Sequence, residues 1–203
     1  MVDGLGADWT IPEAPVLDPA YVLVEVPRFP EPAFTQLMRE TFFETTSAID
    51  WKELLGEERM RATEARRQAF GKSWSLRLGV WFEGRLVAWT YAWQDGGARL
   101  YQGTSGVVPA HRRKGLYQAL LVRLLQRARA EGFEEVHSKH LATNNPILVA
   151  KLRAGFLLTG TELNPSFGSL VTTSCPLVPE RREALLVRSG MKRPTGSLKD
   201  YLG

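Results

Sequence analysis

Val107-Val108-Pro109-Ala110-His111-Arg112-Arg113-Lys114-Gly115-Leu116-Tyr117 is the point at which the hydrophobic period of the chain changes. Before it, Trp74, Leu76, Leu78, Val80 and Phe82 alternate with Ser75, Arg77, Gly79 and Trp81, the period of two that lays one face of a strand on a core. After it, Leu120, Leu121, Leu124, Leu125 and Ala128 recur at helical spacing up to Gly132, which is placed to end a helix. A strand therefore runs into a basic, glycine-containing loop that opens a helix. Such a junction attracts anions. The first-turn N–H groups have no partner within the helix, the helix dipole adds positive charge, and Gly115 lets the backbone come close to a phosphate. Neither Gly-x-x-x-x-Gly-Lys-Ser/Thr nor Gly-x-Gly-x-x-Gly is present, so the stretch is not a Walker loop or a dinucleotide fingerprint.

Working outward, residues 109–130 carry six basic side chains, Arg112, Arg113, Lys114, Arg123, Arg127 and Arg129, and no acid. The whole chain of 203 residues has a net charge of only +4, so the positive charge is concentrated here. A solvated turn is the plain reading of such a run, and the glycine and amphipathic helix that follow it favour the phosphate reading. Arg123, Arg127 and Arg129 lie farther along the helix and are read as solvent-facing. A nucleic-acid interface would rest on this charge alone, and no nucleic-acid partner is expected.

Hydrophobic residues at 44% and charged residues at 24% are globular averages, which excludes disordered, collagenous and coiled-coil chains. The single cysteine, Cys175, cannot form an internal disulfide or a paired-thiol metal site, so no metal and a reducing, cytoplasmic setting are expected; it reads as a small buried hydrophobe. The N-terminus lacks the basic and apolar regions of a signal peptide, and no run approaches the ~20 apolar residues of a membrane span, so no membrane partner is expected.

The remaining elements follow from local pattern. Residues 1–20 read as an irregular leader, 21–26 as a first strand, and Pro30 and Pro32 open a helix through Phe42, with a second helix over 50–67. Three consecutive strands over 74–82, 86–93 and 99–108 turn at Glu83-Gly84 and Asp95-Gly96. A strand over 133–141, a short helix capped by Asn144 or Asn145 and stopped by Gly155, strands over 156–161 and 169–177, and a helix over 180–188 complete the chain before a tail from 190. The order β-α-α-β-β-β-α-β-α-β-β predicts one mixed α and β domain over residues 1–203. Trp51, Trp74, Trp81, Trp89 and Trp93 read as core, as strand aromatics mostly are.

Val-x-Pro-x-x-Arg-Arg-Lys-Gly-Leu resembles the acetyl-CoA loop of the GNAT N-acetyltransferase superfamily, whose pattern is Gln/Arg-x-x-Gly-x-Gly/Ala. Arg112 and Gly115 match its first two fixed positions, and Tyr117 stands at the third, where a small residue is usual. Asn144-Asn145-Pro146-Ile147 through Ala154-Gly155-Phe156 resembles the family's Asn-x-x-Ala/Met segment ending in Gly-Phe, and residues 74–177 are covered in all. The resemblance implies an α/β fold with a mostly antiparallel, twisted sheet of about seven strands flanked by helices. It implies acetyl-CoA as acyl donor, with pantetheine along Val107 and Val108, phosphates on Arg112, Arg113, Lys114, Gly115, Leu116 and Tyr117, and Asn144 on either. Gly103 and Gly106 suit a bulged strand that splays from its neighbour in this family.

The reaction implied is direct transfer of acetyl to a primary amine of a small molecule or peptide, which needs an oxyanion donor and a proton for the departing thiolate. The N–H of Val107 or Val108 is the expected oxyanion donor. Lys151 stands where the family often has Tyr, four residues before Gly-Phe, and is a candidate proton donor or a solvated helix residue. No Asp, Glu or His lies on 99–108, so the base is open; His140 is a candidate, and a lone histidine is also a common structural residue. Family members often dimerise, so a homodimer is an expected assembly. Phe42, Phe43 and residues 164–167 are candidate acceptor contacts. The alternative is a non-catalytic CoA- or acyl-CoA-binding sensor of the same fold.

Overall fold

The computed structural model describes residues 9–43, 57, 61, 74–195 and 199–202. Strand β1 (Tyr21–Glu25) is followed by helix α1 (Ala33–Met38), which a π-helical turn, Arg39–Phe43, extends. Of the expected helix over 50–67 only Glu57 and Arg61 are described, both helical; the rest of it, Trp51 included, and the side chains of Phe42 and Phe43 lie outside the described residues. Then come β2 (Ser75–Phe82), β3 (Arg85–Gln94), β4 (Arg99–Val107), α2 (Leu116–Ala130), β5 (Glu135–Leu141), α3 (Asn145–Arg153), β6 (Leu157–Asn164), β7 (Gly168–Pro176), α4 (Pro179–Arg188) and a short α5 (Lys199–Leu202).

The strands form one seven-stranded sheet in the order β1-β2-β3-β4-β5-β7-β6, in which β4 and β5 are the parallel pair. The β2–β3 hairpin turns on Glu83 and Gly84, both at positive φ (49° and 75°), which matches the right-handed twist of the flanking strands. The second turn differs from its sequence reading. Gly96 and Gly97, rather than Asp95, take the positive φ values, 77° and 53°.

Helix α2 follows β4 and crosses back over the sheet, as a parallel pair requires. Its Leu116, Leu120, Leu121, Leu124, Leu125 and Ala128 bury against Leu76, Leu78, Val80, Ala88, Ala92, Leu100 and Val136. Each fully buried leucine contributes roughly 1.5–3 kcal/mol of transfer free energy, so this seam dominates the positioning of everything at its N-terminus. Trp89 points to the opposite face, fully buried, where Phe34 of α1 meets it edge-on with ring centroids 5.6 Å apart. A Cβ at Gly106 would collide with the Trp89 ring, and one at Gly103 with Trp93, so these two glycines admit the indoles.

Gly103 is also the extra residue of a bulge, because Tyr91 pairs Thr104 while Ala92 pairs Gln102. Beyond it β4 has no ladder with β5. The parallel pairing comprises Arg99 with Glu135, Leu100 with Val136 and Tyr101 with His137, whereas β5 pairs β7 along its whole length. The two central strands thus separate from Gln102 onward and leave a wedge whose open end lies at the Val107 loop.

Candidate functional site

Val108 leaves β4, a 3-10 turn spans Pro109–His111, and Arg113 and Gly115 take φ values of 63° and 76° on either side of Lys114. Two left-handed residues so close together turn the backbone sharply at the start of α2, and tight turns of this kind can gather N–H groups into an anion-binding concavity. Gly115 is the N-cap of α2 and offers no side-chain cap. The first helical bond runs from the Ala119 N–H to the Gly115 carbonyl at 2.9 Å, so Leu116, Tyr117 and the residue after it present orphan donors. The Tyr117 ring packs against the core and its hydroxyl is buried beside Gln102, so its bulk is directed into the fold. Burial raises its pKa, and it stays a phenol.

The three basic side chains of the loop behave differently. Arg112 is exposed and its Nε donates to the Val107 carbonyl at 3.1 Å, which stiffens the exit from β4. Arg113 is exposed. Lys114 is turned toward β1, where its Nζ donates to the Tyr21 hydroxyl at 2.9 Å, and that hydroxyl is also 2.9 Å from His111 Nδ1. Lys114 therefore ties the loop to β1. Farther along α2, Arg127 pairs with Glu25 at 3.1 Å and Glu131 at 2.9 Å, and Arg129 donates to the Leu177 carbonyl. Two of the three outlying arginines thus hold elements together.

Both backbone groups of Val108 are engaged: its N–H donates to the Val87 carbonyl and its carbonyl accepts from the His111 N–H, each at 2.9 Å. That removes Val108 as an oxyanion donor. Because successive N–H groups on a strand alternate in direction, Val107 is left facing the wedge.

A buried polar cluster centres on Gln102, the first residue of β4 beyond the ladder with β5. Lys151 of α3 is wholly buried, its Nζ donates to the Gln102 Oε1, and the Phe156 ring lies 3.8 Å beneath it. The Gln102 amide donates to Thr90 Oγ1 at 2.9 Å and Ser105 Oγ at 2.8 Å, which holds its carbonyl toward the lysine. Burial pulls the Lys151 ammonium down to about 7. The solvated-residue reading of Lys151 is therefore incorrect.

His137 and His140 occupy opposite faces, as their spacing requires. His137 packs against Tyr101 and lies 3.0 Å from Asp95, whereas His140 Nε2 is 2.9 Å from Ser138 Oγ. Burial first, and Lys151 second, push His140 down to about 3. A group with so low a pKa has little tendency to take a proton near neutrality, so the structure speaks against His140 as base. Cys175, buried beside this cluster, is pushed up to about 12 by desolvation and stays an unreactive thiol.

Asn144 is the N-cap of α3 and lies exposed, but its side chain makes no capping bond, contrary to the expected cap. Its amide is free to meet a ligand. Between β6 and β7 the Ser166 N–H donates to Asn164 Oδ1 at 2.9 Å, and Leu163 and Phe167 stand exposed at the tip. Sequence reasoning missed Gln102 and Tyr21, whose roles arise from cross-strand neighbours. Among the described residues no group of His, Cys, Asp and Glu is arranged to hold a metal ion, and no helix is long and apolar enough to cross a membrane.

The chain belongs to the acetyltransferase (GNAT) family, whose pattern matches residues 33–156. Solved structures share the fold at low identity. The ribosomal-protein-S18-alanine N-acetyltransferase of Escherichia coli is 15% identical with a TM-score of 0.59, over 77% of this chain and 94% of that one. A GNAT-family protein of Desulfovibrio desulfuricans is 13% identical, with a TM-score of 0.57, over 77% and 99%. The yncA protein of Salmonella typhimurium, solved with its cofactor acetyl-CoA, is 20% identical with a TM-score of 0.55, over 78% and 94%. No curated protein sequence matches the chain.

Proposed function

We propose that this chain is an acetyl-CoA-dependent N-acetyltransferase that moves acetyl directly to a primary amine of a small molecule or peptide. The observation that carries the reading is that the β4–β5 ladder ends at Tyr101 and His137 while β4 runs on to a loop with left-handed residues at Arg113 and Gly115, and that Lys151 is buried against Gln102 of the same strand. Orphan N–H groups in a nest, and a strand edge without a ladder, fit the phosphates and the amide-bearing arm of acetyl-CoA. Bound there, acetyl-CoA supplies an acetyl group activated as a thioester.

Leu116, Tyr117 and the nest N–H groups of Arg113, Lys114 and Gly115 hold the phosphates, with Arg112 and Arg113 adding charge from the exposed side. Asn144 and the β4 edge at Val107 hold the arm. The Val107 N–H donates to the oxygen on which negative charge develops. Lys151, as an ammonium oriented by Gln102, donates the proton that the departing thiolate takes. A donor with a pKa of about 7 is well matched to a thiol, whose ordinary pKa is about 8.5. His140 remains a neutral hydrogen-bonding partner of Ser138. No protein base is assigned: the acceptor enters as its free amine, the proton it sheds on acylation passes to water, and Lys151 regains its proton from solvent before the next turnover. The seven strands form one sheet, which supports reading the chain as one domain.

The test is thiol release from acetyl-CoA against a panel of primary amines and N-terminal peptides. Release that depends on the amine supports transfer. Saturable acetyl-CoA binding without release above hydrolysis for any acceptor would favour the sensor reading.

A further inference from the structure

Residues 9–20 form no helix or strand, yet several of their apolar side chains are packed while Val16 stands exposed. Trp9, Ile11 and Leu17 pack against the core that contains Leu116, Leu120, Ala154 and Phe156. The contacts fall on the two glycines of the cofactor motifs. A Cβ placed at Gly155 would collide with the Trp9 indole, so this ring lies directly against the Gly155 backbone. At Gly115 the Pro15 ring approaches to 3.3 Å of a Cβ position, with Leu17 at 3.7 Å. Both glycines hold positive φ, 89° and 76°. The Arg182 guanidinium lies over the Trp9 ring, 4.6 Å from its centroid, and Arg182 itself is 1% exposed. The eight steps from residue 9 to residue 17 can span at most about 27 Å, so an extended strap suffices to join the two sites.

We propose that residues 9–17 are a positioning strap that fixes the Gly115 loop and the Gly155 end of α3 at once, and that acetyl-CoA affinity depends on it. The inference rests on the phosphate-cradle reading of the loop given above. Lys151 lies one helical turn before Gly155, so the strap backs the helix that carries it. Arg112, Arg113 and Lys114 stay exposed, so the strap supports the loop from one side without covering its charges. Gly115 must keep its left-handed conformation for the orphan donors to converge, and Pro15 and Leu17 restrict the alternatives.

Equilibrium dialysis of the full chain against radiolabelled acetyl-CoA, well below each variant's melting temperature, tests this. Trp9→Ala and Leu17→Ala are expected to weaken binding about tenfold each. Trp9→Phe, which keeps a ring against Gly155, and Leu163→Ala, at the exposed β6 tip, stay near wild type. A strap that only stabilised the fold would lower the melting temperature and leave the affinity of the folded protein unchanged, which overturns the inference. Tighter binding in either alanine variant also overturns it. If Trp9→Ala does not fold, Leu17→Ala decides alone. No binding by the wild type removes the cradle reading and this inference together, whereas wild-type binding that Trp9→Ala and Leu17→Ala both retain removes only the inference.

Discussion

The two ends of the β4–β5 pair are built from the same two strands and do opposite things. At the closed end, Arg99, Leu100 and Tyr101 pair with Glu135, Val136 and His137, and the seam is covered by an Arg99–Glu135 ion pair at 3.4 Å and by aromatic rings. At the open end the ladder stops, Gln102 turns to bind Lys151, and the strand leads into a loop whose donors are unmet. The boundary is a single inserted residue, Gly103, which shifts the alternation of β4 by one. The bulge thus sits where the paired sheet centre gives way to unpaired strand, beside the buried Gln102–Lys151 contact.

The largest expected effect comes from attacking the boundary itself. Gly103→Val puts a branched side chain into the Trp93 indole and should lower stability by roughly 3 kcal/mol or more, measured by urea unfolding. A variant as stable as the wild type would show that the indole moves freely and that the bulge is not glycine-dependent. At the open end, Lys151→Met should reduce amine-dependent thiol release about 100-fold or more, while acetyl-CoA affinity changes little. Retained turnover in Lys151→Met would remove the proton-donor assignment.

The same lysine gives the comparison a pH signature. Its folded pKa of about 7 lies below the ordinary 10.5, so between these values the unfolded chain binds more protons than the folded one. Stability contributed through this group therefore rises as pH climbs from about 7 toward 10.5, and below 7 the full penalty of the buried ammonium applies. Urea midpoints at pH 6 and pH 9 should show this rise in the wild type and lack it in Lys151→Met. Thiol release should in turn lose its Lys151-dependent component above about 7, as the donor gives up its proton. The smallest effect is expected at the rim. Arg112→Ala removes an exposed charge and one bond to the Val107 carbonyl, worth about 1 kcal/mol, or several-fold in acetyl-CoA affinity, and less at high salt. An affinity loss far above that, insensitive to salt, would mean that Arg112 holds the loop conformation rather than the anion.

Much of this was legible in local pattern. The strands over residues 74–107 and the α2 stripe announce themselves by period, and Arg112 to Tyr117 by charge and glycine, because these features depend on neighbours within a few residues. The bulged strand is expected from the family resemblance; Gly103 is its extra residue, whereas Gly106 pairs in register and makes room for the Trp89 indole. What sequence could not show depends on contacts across the sheet. Gln102 is an ordinary strand glutamine until Thr90, Ser105 and Lys151 surround it, and Lys114 is one more loop cation until the Tyr21 hydroxyl takes it. Residues 9–20 carry no period, so their packing on Gly115 and Gly155 leaves no local trace. Asn144 had the residue type of a cap, but the helix start took its backbone and left its amide outside.

The central claim, that the open end of the pair receives acetyl-CoA through the Gly115 nest, is tested most directly by calorimetric titration of acetyl-CoA into the wild type and Gly115→Val. At φ 76° a branched residue is strained by about 1–2 kcal/mol and abandons the left-handed turn, so the nest opens. The account predicts saturable binding to the wild type that the folded variant loses. Absence of binding to the wild type, or equal affinity in the two, would contradict it.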